Sequence, residues 1–132
     1  LTVIEGDHGS TFFHPRSDAA WRTIQCLIDV QAAMGGNALI GRELYPLLLG
    51  AGFREVAVSP RFVYVDASRP AWVEGFTRNT YIAMVEGVRE QALAAGRISR
   101  GAWDKGIADL RTSAGPNGTF CYTFFKAVAV KP

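Results

Sequence analysis

The chain has 132 residues, 48% hydrophobic and 20% charged, with a net charge of +2. This length and balance fit one globular domain and exclude a disordered or fibrous chain. No apolar run approaches the roughly 20 residues of a membrane span, and the start has no basic-plus-apolar leader pattern. Lys and Arg are scattered, which leaves no electrostatic footprint for nucleic acid. The totals predict a soluble cytoplasmic protein with a small-molecule or protein partner. Cys26 and Cys121 lie far apart and form no C-x-x-C pair, so reduced thiols are expected.

LTVIE, Leu1 to Glu5, is a short apolar run with β-branched members and predicts a strand covered on both faces, with a loop over Gly6 to Pro15. Ser17 is an N-cap candidate for a helix in which Trp21, Ile24, Leu27 and Ile28 recur at helical spacing, until Gly35, Gly36 and Asn37 stop it. A second helix is expected from Arg42 to Leu49, with Pro46 tolerated if it falls in the first turn and Gly50 and Gly52 ending it. REVAVSPRFVYVD alternates as a long strand; Ser59-Pro60 predicts a bulge or bend there, and Pro60 predicts a sheet edge. Trp72 to Ala95 reads as one helix ending at Gly96, and Ser99 to Arg111 as a shorter one. GPNG is a turn, and TFCYTFFKAVAVKP, the most strand-like stretch, suits a central strand.

The order strand, helix, helix, strand, two helices, strand predicts an α/β fold with one sheet and helices packed on it. Its residues also carry a resemblance. A helix ending LYPLLLGAGF, followed at once by REVAVSP, resembles the approach to the sixth strand of class I S-adenosylmethionine-dependent methyltransferases. LTVIEGD is similar to their fifth strand with its acidic exit, and FCYTFFKAVAVKP to the antiparallel seventh, inserted between those two. The resemblance covers most of the chain but only the carboxyl half of such an enzyme. It implies a partial Rossmann-like sheet of strands five, seven and six, a single domain over 1–132, and a helical insertion over 67–118 where the family has a tight connection. Such an insertion beside a site suggests a lid or an acceptor-binding element.

The glycine-rich turn after a first strand and the acid ending a second strand, through which the family binds S-adenosylmethionine, have no counterpart here; GGNALIG, Gly35 to Gly41, follows a helix. The resemblance therefore implies a fragment, inactive alone, of an enzyme that uses S-adenosylmethionine when intact. The competing expectation is a non-catalytic α/β binding or assembly module. Under the first, Leu1 to Glu5 presents an unpaired apolar edge, which predicts a homo-oligomer.

Asp7 and His8 stand at the exit of the first predicted strand, the edge at which open α/β sheets bind ligands. The resemblance brings acceptor and methyl donor together there. That makes Asp7 and His8 the catalytic candidates, with His8 suited to proton transfer by its near-neutral pKa and Asp7 also a cofactor contact. A solvated loop is the plain alternative. His14 is a substrate-binding candidate and, with His8 and either Asp7 or Asp18, a weak metal set without fixed third-ligand spacing; no metal is expected. Asn37 and Arg42 could hold an anionic group at a helix start, although pairing of Arg42 with a nearby carboxylate is the simpler reading. Arg61 and Tyr64 on the sixth-strand equivalent, and Asn79 and Tyr81 on the insertion, complete the acceptor-binding candidates, each with a wet-surface or core alternative. Cys121, in so apolar a strand, reads as a buried inert thiol.

Overall fold

The computed structural model describes all residues, Leu1–Pro132. Three strands, β1 (Thr2–His14), β2 (Arg54–Asp66) and β3 (Thr119–Val130), form one antiparallel sheet in the order β1-β3-β2. The C-terminal strand is thus central, as its composition predicts, and β2 with its Pro60 is an edge. Helices α1 (Asp18–Ala33) and α2 (Ile40–Gly50) join β1 to β2. Between β2 and β3 lie α3, spanning 70–86, then α4 (Arg89–Ala94) and α5 (Arg100–Thr112). No helix is long and apolar enough to cross a membrane.

Alternation along β3 gives the sheet two different faces. Phe120, Tyr122 and Phe124 point to one side, where, with Val63 and Val65 of β2, they meet α1, α3 and α5 in the main core. Ile24, Leu27, Tyr81, Trp103 and Leu110 are its large buried members. The opposite face is covered only by α2, whose Leu44 and Leu48 pack on Ala127 and Ala129. The rest of that face stays open: Phe12, Phe62 and Tyr64 are all exposed around the small side chains of Cys121 and Thr123.

Several expected boundaries shift. The first strand does not end at Glu5, and 6–15 is not a loop: β1 continues to His14 because β3 is long enough to pair with it over both stretches. Pairing runs in register from Thr2↔Val128 to Asp7↔Thr123 and resumes at Phe12↔Cys121. His8 to Thr11 therefore bulge opposite Tyr122 alone, and an extra-residue device of this kind re-aims side chains. Nor is LTVIE covered on both faces: Ile4, opposite Lys126 on the main-core side, is exposed because no helix lies over that end of the sheet, and Leu1, opposite Ala129 on the α2 face, is exposed at the strand's start. In β2 the irregularity lies at Arg54 to Ala57, with Glu55 at φ 52°, while Pro60 stays in register with Phe125. An edge strand tolerates Pro60 because its missing N–H need face only solvent. Pro46 sits in the interior of α2 rather than in its first turn.

The single helix expected over 72–95 is broken. α3 begins with one α-helical turn (Pro70–Trp72), continues as a π-helix (Val73–Ile82) and closes with Ala83–Glu86; α4 follows after Gly87 and Val88. The wider spacing is visible in its side chains: the Thr80 hydroxyl donates to Gly75 O, five residues back, at 2.7 Å. The buried Thr77 hydroxyl has no partner. Such π segments are rare and recur at functional sites. α3 is tethered to the turn before β3 by Arg78, whose Nη2 donates to Ala114 O at 3.0 Å.

Serines cap the two long helices: Ser17, the expected N-cap, accepts from Ala20 N at 3.0 Å, and Ser99, expected as the first helical residue, caps instead by accepting from Ala102 N at 3.2 Å. Ser17 also donates to Asp109 at 2.7 Å, tying α1 to α5. These helices touch at Gly106, where a Cβ would lie 2.5 Å from both Ala19 O and Thr23 Cγ2. On an exposed helix Gly→Ala stabilises by about 1 kcal/mol. At Gly106 the sign reverses: Gly106→Ala is expected to destabilise by about 1–3 kcal/mol, the usual cost of overpacking, read as a lower urea midpoint at unchanged slope.

Candidate functional site

The bulge in β1 is held by a buried carboxylate. Asp7 is fully buried, and its two oxygens receive four donors. Arg42 supplies Nε to Oδ2 at 2.7 Å and Nη2 to Oδ1 at 2.9 Å. Gly9 N–H donates to Oδ1 at 2.9 Å and Ser10 Oγ to Oδ2 at 3.0 Å. A buried carboxylate is costly unless so satisfied, and the bidentate fork is the strongest pairing that protein offers it. Asp7 and Arg42 thus meet, as the simpler reading of Arg42 expects, and they act as a brace from the bulge to the start of α2. Hydrogen bonding to Asp7 and the carboxylate's charge hold the Arg42 guanidinium firmly protonated, its pKa raised despite partial burial.

The turn before α2 completes the brace. Asn37 Oδ1 accepts from Leu39 N at 2.9 Å, its Nδ2 donates to Glu43 at 3.0 Å, and Ala38 O accepts from His8 N at 2.9 Å. Gly41 lies so close to β1 that a Cβ would sit 2.9 Å from Gly6 O. Asn37 therefore shapes a turn with both ends of its amide engaged.

His8, next in the chain, is turned to the main-core side. Its Nδ1 is 2.8 Å from the Tyr122 hydroxyl, and the ring lies edge-on to Tyr81, with centroids 6.0 Å apart at 85°. The Tyr81 hydroxyl donates to Thr11 Oγ1 at 3.0 Å, so both ends of the bulge are gripped by a tyrosine. A Cβ on Gly6 would collide with the Tyr122 hydroxyl, which explains glycine there. His8 Nε2 has no protein partner, yet it is not among the buried polar atoms left without one: it opens to solvent. When Nδ1–H donates to Tyr122, Nε2 presents a free lone pair to the outside.

Burial lowers the His8 pKa, partly offset by the negative charge of Asp7. Burial also pushes Tyr122 up to about 12 and raises Tyr81 further. At neutral pH the cluster is therefore an uncharged imidazole between two protonated phenols. It can accept a proton at Nε2, the ring nitrogen without a protein partner, although His8 as a whole is only 9% exposed.

The other sequence candidates lie elsewhere. His14 is exposed at the far end of β1, opposite Thr119, and the structure does not bring it to His8. No group of three or more His, Cys, Asp or Glu side chains is placed to hold a metal ion. Arg61 is exposed, with Nη1 donating to Pro60 O at 3.2 Å. Tyr64 is exposed on the open sheet face beside Cys121. Asn79, on the outer side of α3, lines a polar 300 Å³ hollow with Glu74, Arg78 and Arg111. Cys26 and Cys121 are free and buried, and burial raises both thiol pKa values.

Reading the sequence alone misses Tyr122 and Thr11. The aromatic spacing of two in Phe120, Tyr122 and Phe124 signals one shared sheet face; that Tyr122 reaches His8 depends on the bulge. Compared with family models and with curated proteins, the chain matches none.

The lowered His8 pKa has a defined consequence for stability. Near its ordinary value of 6.5 and below, the unfolded chain binds a proton that the folded chain resists. The stability tied to neutral His8 is thus fully present above about pH 6.5, shrinks as pH falls below it, and levels off below the lower folded value. Urea midpoints between pH 8 and 5 should fall more steeply for the wild type than for His8→Asn. Parallel curves would remove His8 from the pH response.

Proposed function

We propose that this chain is the acceptor-binding half of an S-adenosylmethionine-dependent methyltransferase that acts on a small molecule, with His8 as the group that takes the acceptor's proton. The observation that carries the reading is the strand order: the C-terminal strand runs antiparallel between the first and second strands. This is the arrangement that the resemblance implies for strands five, seven and six. The position of His8 supports it further, at the carboxyl end of the first register of β1, next to a helical segment inserted before the last strand.

The residues present do not form a cradle for S-adenosylmethionine. Asp7, the one cofactor candidate, has both oxygens filled by Arg42, Gly9 and Ser10, and the Gly35–Gly41 turn is spent packing α2 on β1. In this reading the cofactor is held by a glycine-rich half outside these 132 residues, and these residues position the acceptor. The proton leaves the acceptor oxygen or nitrogen for His8 Nε2, while Tyr122 fixes the ring through Nδ1. A neutral imidazole is the form that can do this. Holding the acceptor in line and away from water supplies the remainder of the catalytic contribution.

The test uses the full reading frame that contains this segment, assayed for transfer of a labelled methyl group from S-adenosylmethionine to hydroxyl- and amine-bearing acceptors. His8→Asn is expected to lower kcat by about 10²–10⁴-fold with little change in KM for the cofactor. A full-length protein that neither binds S-adenosylmethionine nor transfers its methyl group overturns the reading in favour of a binding or assembly module. Unchanged kcat in His8→Asn removes His8 from the chemistry.

The 132-residue chain is also proposed to self-associate through β1, whose outer edge pairs with no strand and carries the exposed Leu1 and Ile4. Sedimentation velocity should show a dimer or larger species that shifts with concentration. A sharp monomer at high concentration would reject that interface.

A further inference from the structure

Beside the His8 cluster is a cavity of 250 Å³ lined by Phe76, Thr80, Tyr81, Met84, Tyr122 and Phe124. We infer that it is a binding site for an uncharged aromatic ring of one or two fused cycles. As the class of acceptor that the enzyme would take, the inference rests on the methyltransferase reading; as a ring-binding site it does not.

The chemistry of the wall supports this choice. Both tyrosines turn their hydroxyls away, Tyr81 to Thr11 and Tyr122 to His8, so each offers its ring to the cavity. Thr80 has its hydroxyl committed to Gly75 O, which leaves its methyl group. Met84 adds a polarisable thioether suited to an aromatic neighbour. The rings are mutually tilted, Tyr122–Phe124 at 4.8 Å and 68° and Phe76–Tyr122 at 6.1 Å and 64°. They offer a guest both edge-to-face and offset contacts.

No charged residue lines the cavity and its wall is almost wholly apolar, so a strongly hydrated cation entering it would shed water and gain neither an oxygen ligand nor a counter-charge. A weakly hydrated quaternary ammonium would have the ring faces alone, which makes it the control cation. Its volume lies below the roughly 300–1,000 Å³ of drug-sized pockets, which leaves room for a small ring system. Tyr122 links the two functions. Its ring walls the cavity and its hydroxyl ends on His8 Nδ1, so a guest's ring lies one side chain from the imidazole, and an acceptor must carry its nucleophilic atom beyond the cavity to meet Nε2. The π-helical turn is what places Phe76, Thr80 and Tyr81 together on this wall.

The chain contains two methionines, and they make the test internal. Met84 lines the cavity, whereas Met34 is 77% exposed at the end of α1. With 13C-methyl-methionine labelling, titration of the 132-residue chain with indole should shift the Met84 methyl upfield and saturably, with half-saturation on the order of 1 mM or tighter. Met34 should not move. Thr80→Trp, at an exposed position on the rim, is expected to fill the cavity and weaken indole binding at least tenfold while the chain stays folded by circular dichroism. Tetramethylammonium at equal concentration should leave Met84 unshifted.

Three results would overturn the site: no saturable Met84 shift, equal shifts at both methyls, or unchanged binding in Thr80→Trp. A Met84 shift by tetramethylammonium stronger than that by indole would overturn the uncharged-ring assignment. If indole binds as described but the full-length protein transfers no methyl group to aromatic acceptors, the ring site stands and its role as the acceptor pocket falls.

Discussion

A carboxylate with no access to water must have every lone pair answered from within the protein, and Asp7 organises this fold by demanding four donors. Two come from Arg42 at the start of α2 and two from Gly9 and Ser10 on its own strand. Meeting that demand bends β1 into a four-residue bulge, seats α2 against the sheet through Gly41, and turns His8 toward Tyr122. Losing Arg42 would leave the buried Asp7 carboxylate without its counter-charge, which is far costlier than the net value of the pair, whereas the half-exposed Arg42 could turn to water if Asp7 were lost. The bulge is therefore a fixed feature of the scaffold.

The two faces of the sheet divide the labour. On one, α1, α3, α4 and α5 gather around Phe120 and Tyr122, which makes a core deep enough to desolvate an imidazole and two phenols. On the other, α2 alone provides cover, and Phe12, Phe62 and Tyr64 remain in contact with water. The chemistry-bearing groups collect where the first face meets the bulge. There the backbone is already irregular, so a side chain can leave the alternation of the strand, and a π-helical wall supplies aromatic surface at a spacing that an α-helix would not give. In the proposed function this junction holds the acceptor, and the neutral state of His8 follows from the same burial that forms the wall.

Much of the fold was legible in local signals. Ser17 as a cap, the glycine stops at Gly35, Gly52 and Gly96, and the aromatic density of the last strand each act through the nearest few residues, and each appears where the pattern places it. The length of β1 was not legible. EGDHGSTFFH holds two glycines and six polar or charged residues among ten, a composition that reads as loop. It becomes strand because β3 offers a partner and because Asp7 finds Arg42, 35 residues away. The break of 70–95 into α, π and α segments was likewise hidden, since nothing in VEGFTRNTYI forbids an ordinary helix.

The sequence by itself determined the three strands, the amphipathic helices, the central place suited to β3 and the chemical inventory of the site, because periodicity and capping depend on neighbours in the chain. Among the candidate residues it could not separate those that meet from those that do not. Asp7 with Arg42, and His8 with Tyr81 and the unsuspected Tyr122, come together, while His14, Arg61, Tyr64 and Asn79 face solvent on other surfaces. Tertiary structure alone decided this. Desolvation and hydrogen-bond satisfaction are properties of a position in three dimensions, and they are fixed only when the bulge, the α2 turn and the π-helical wall close on one another.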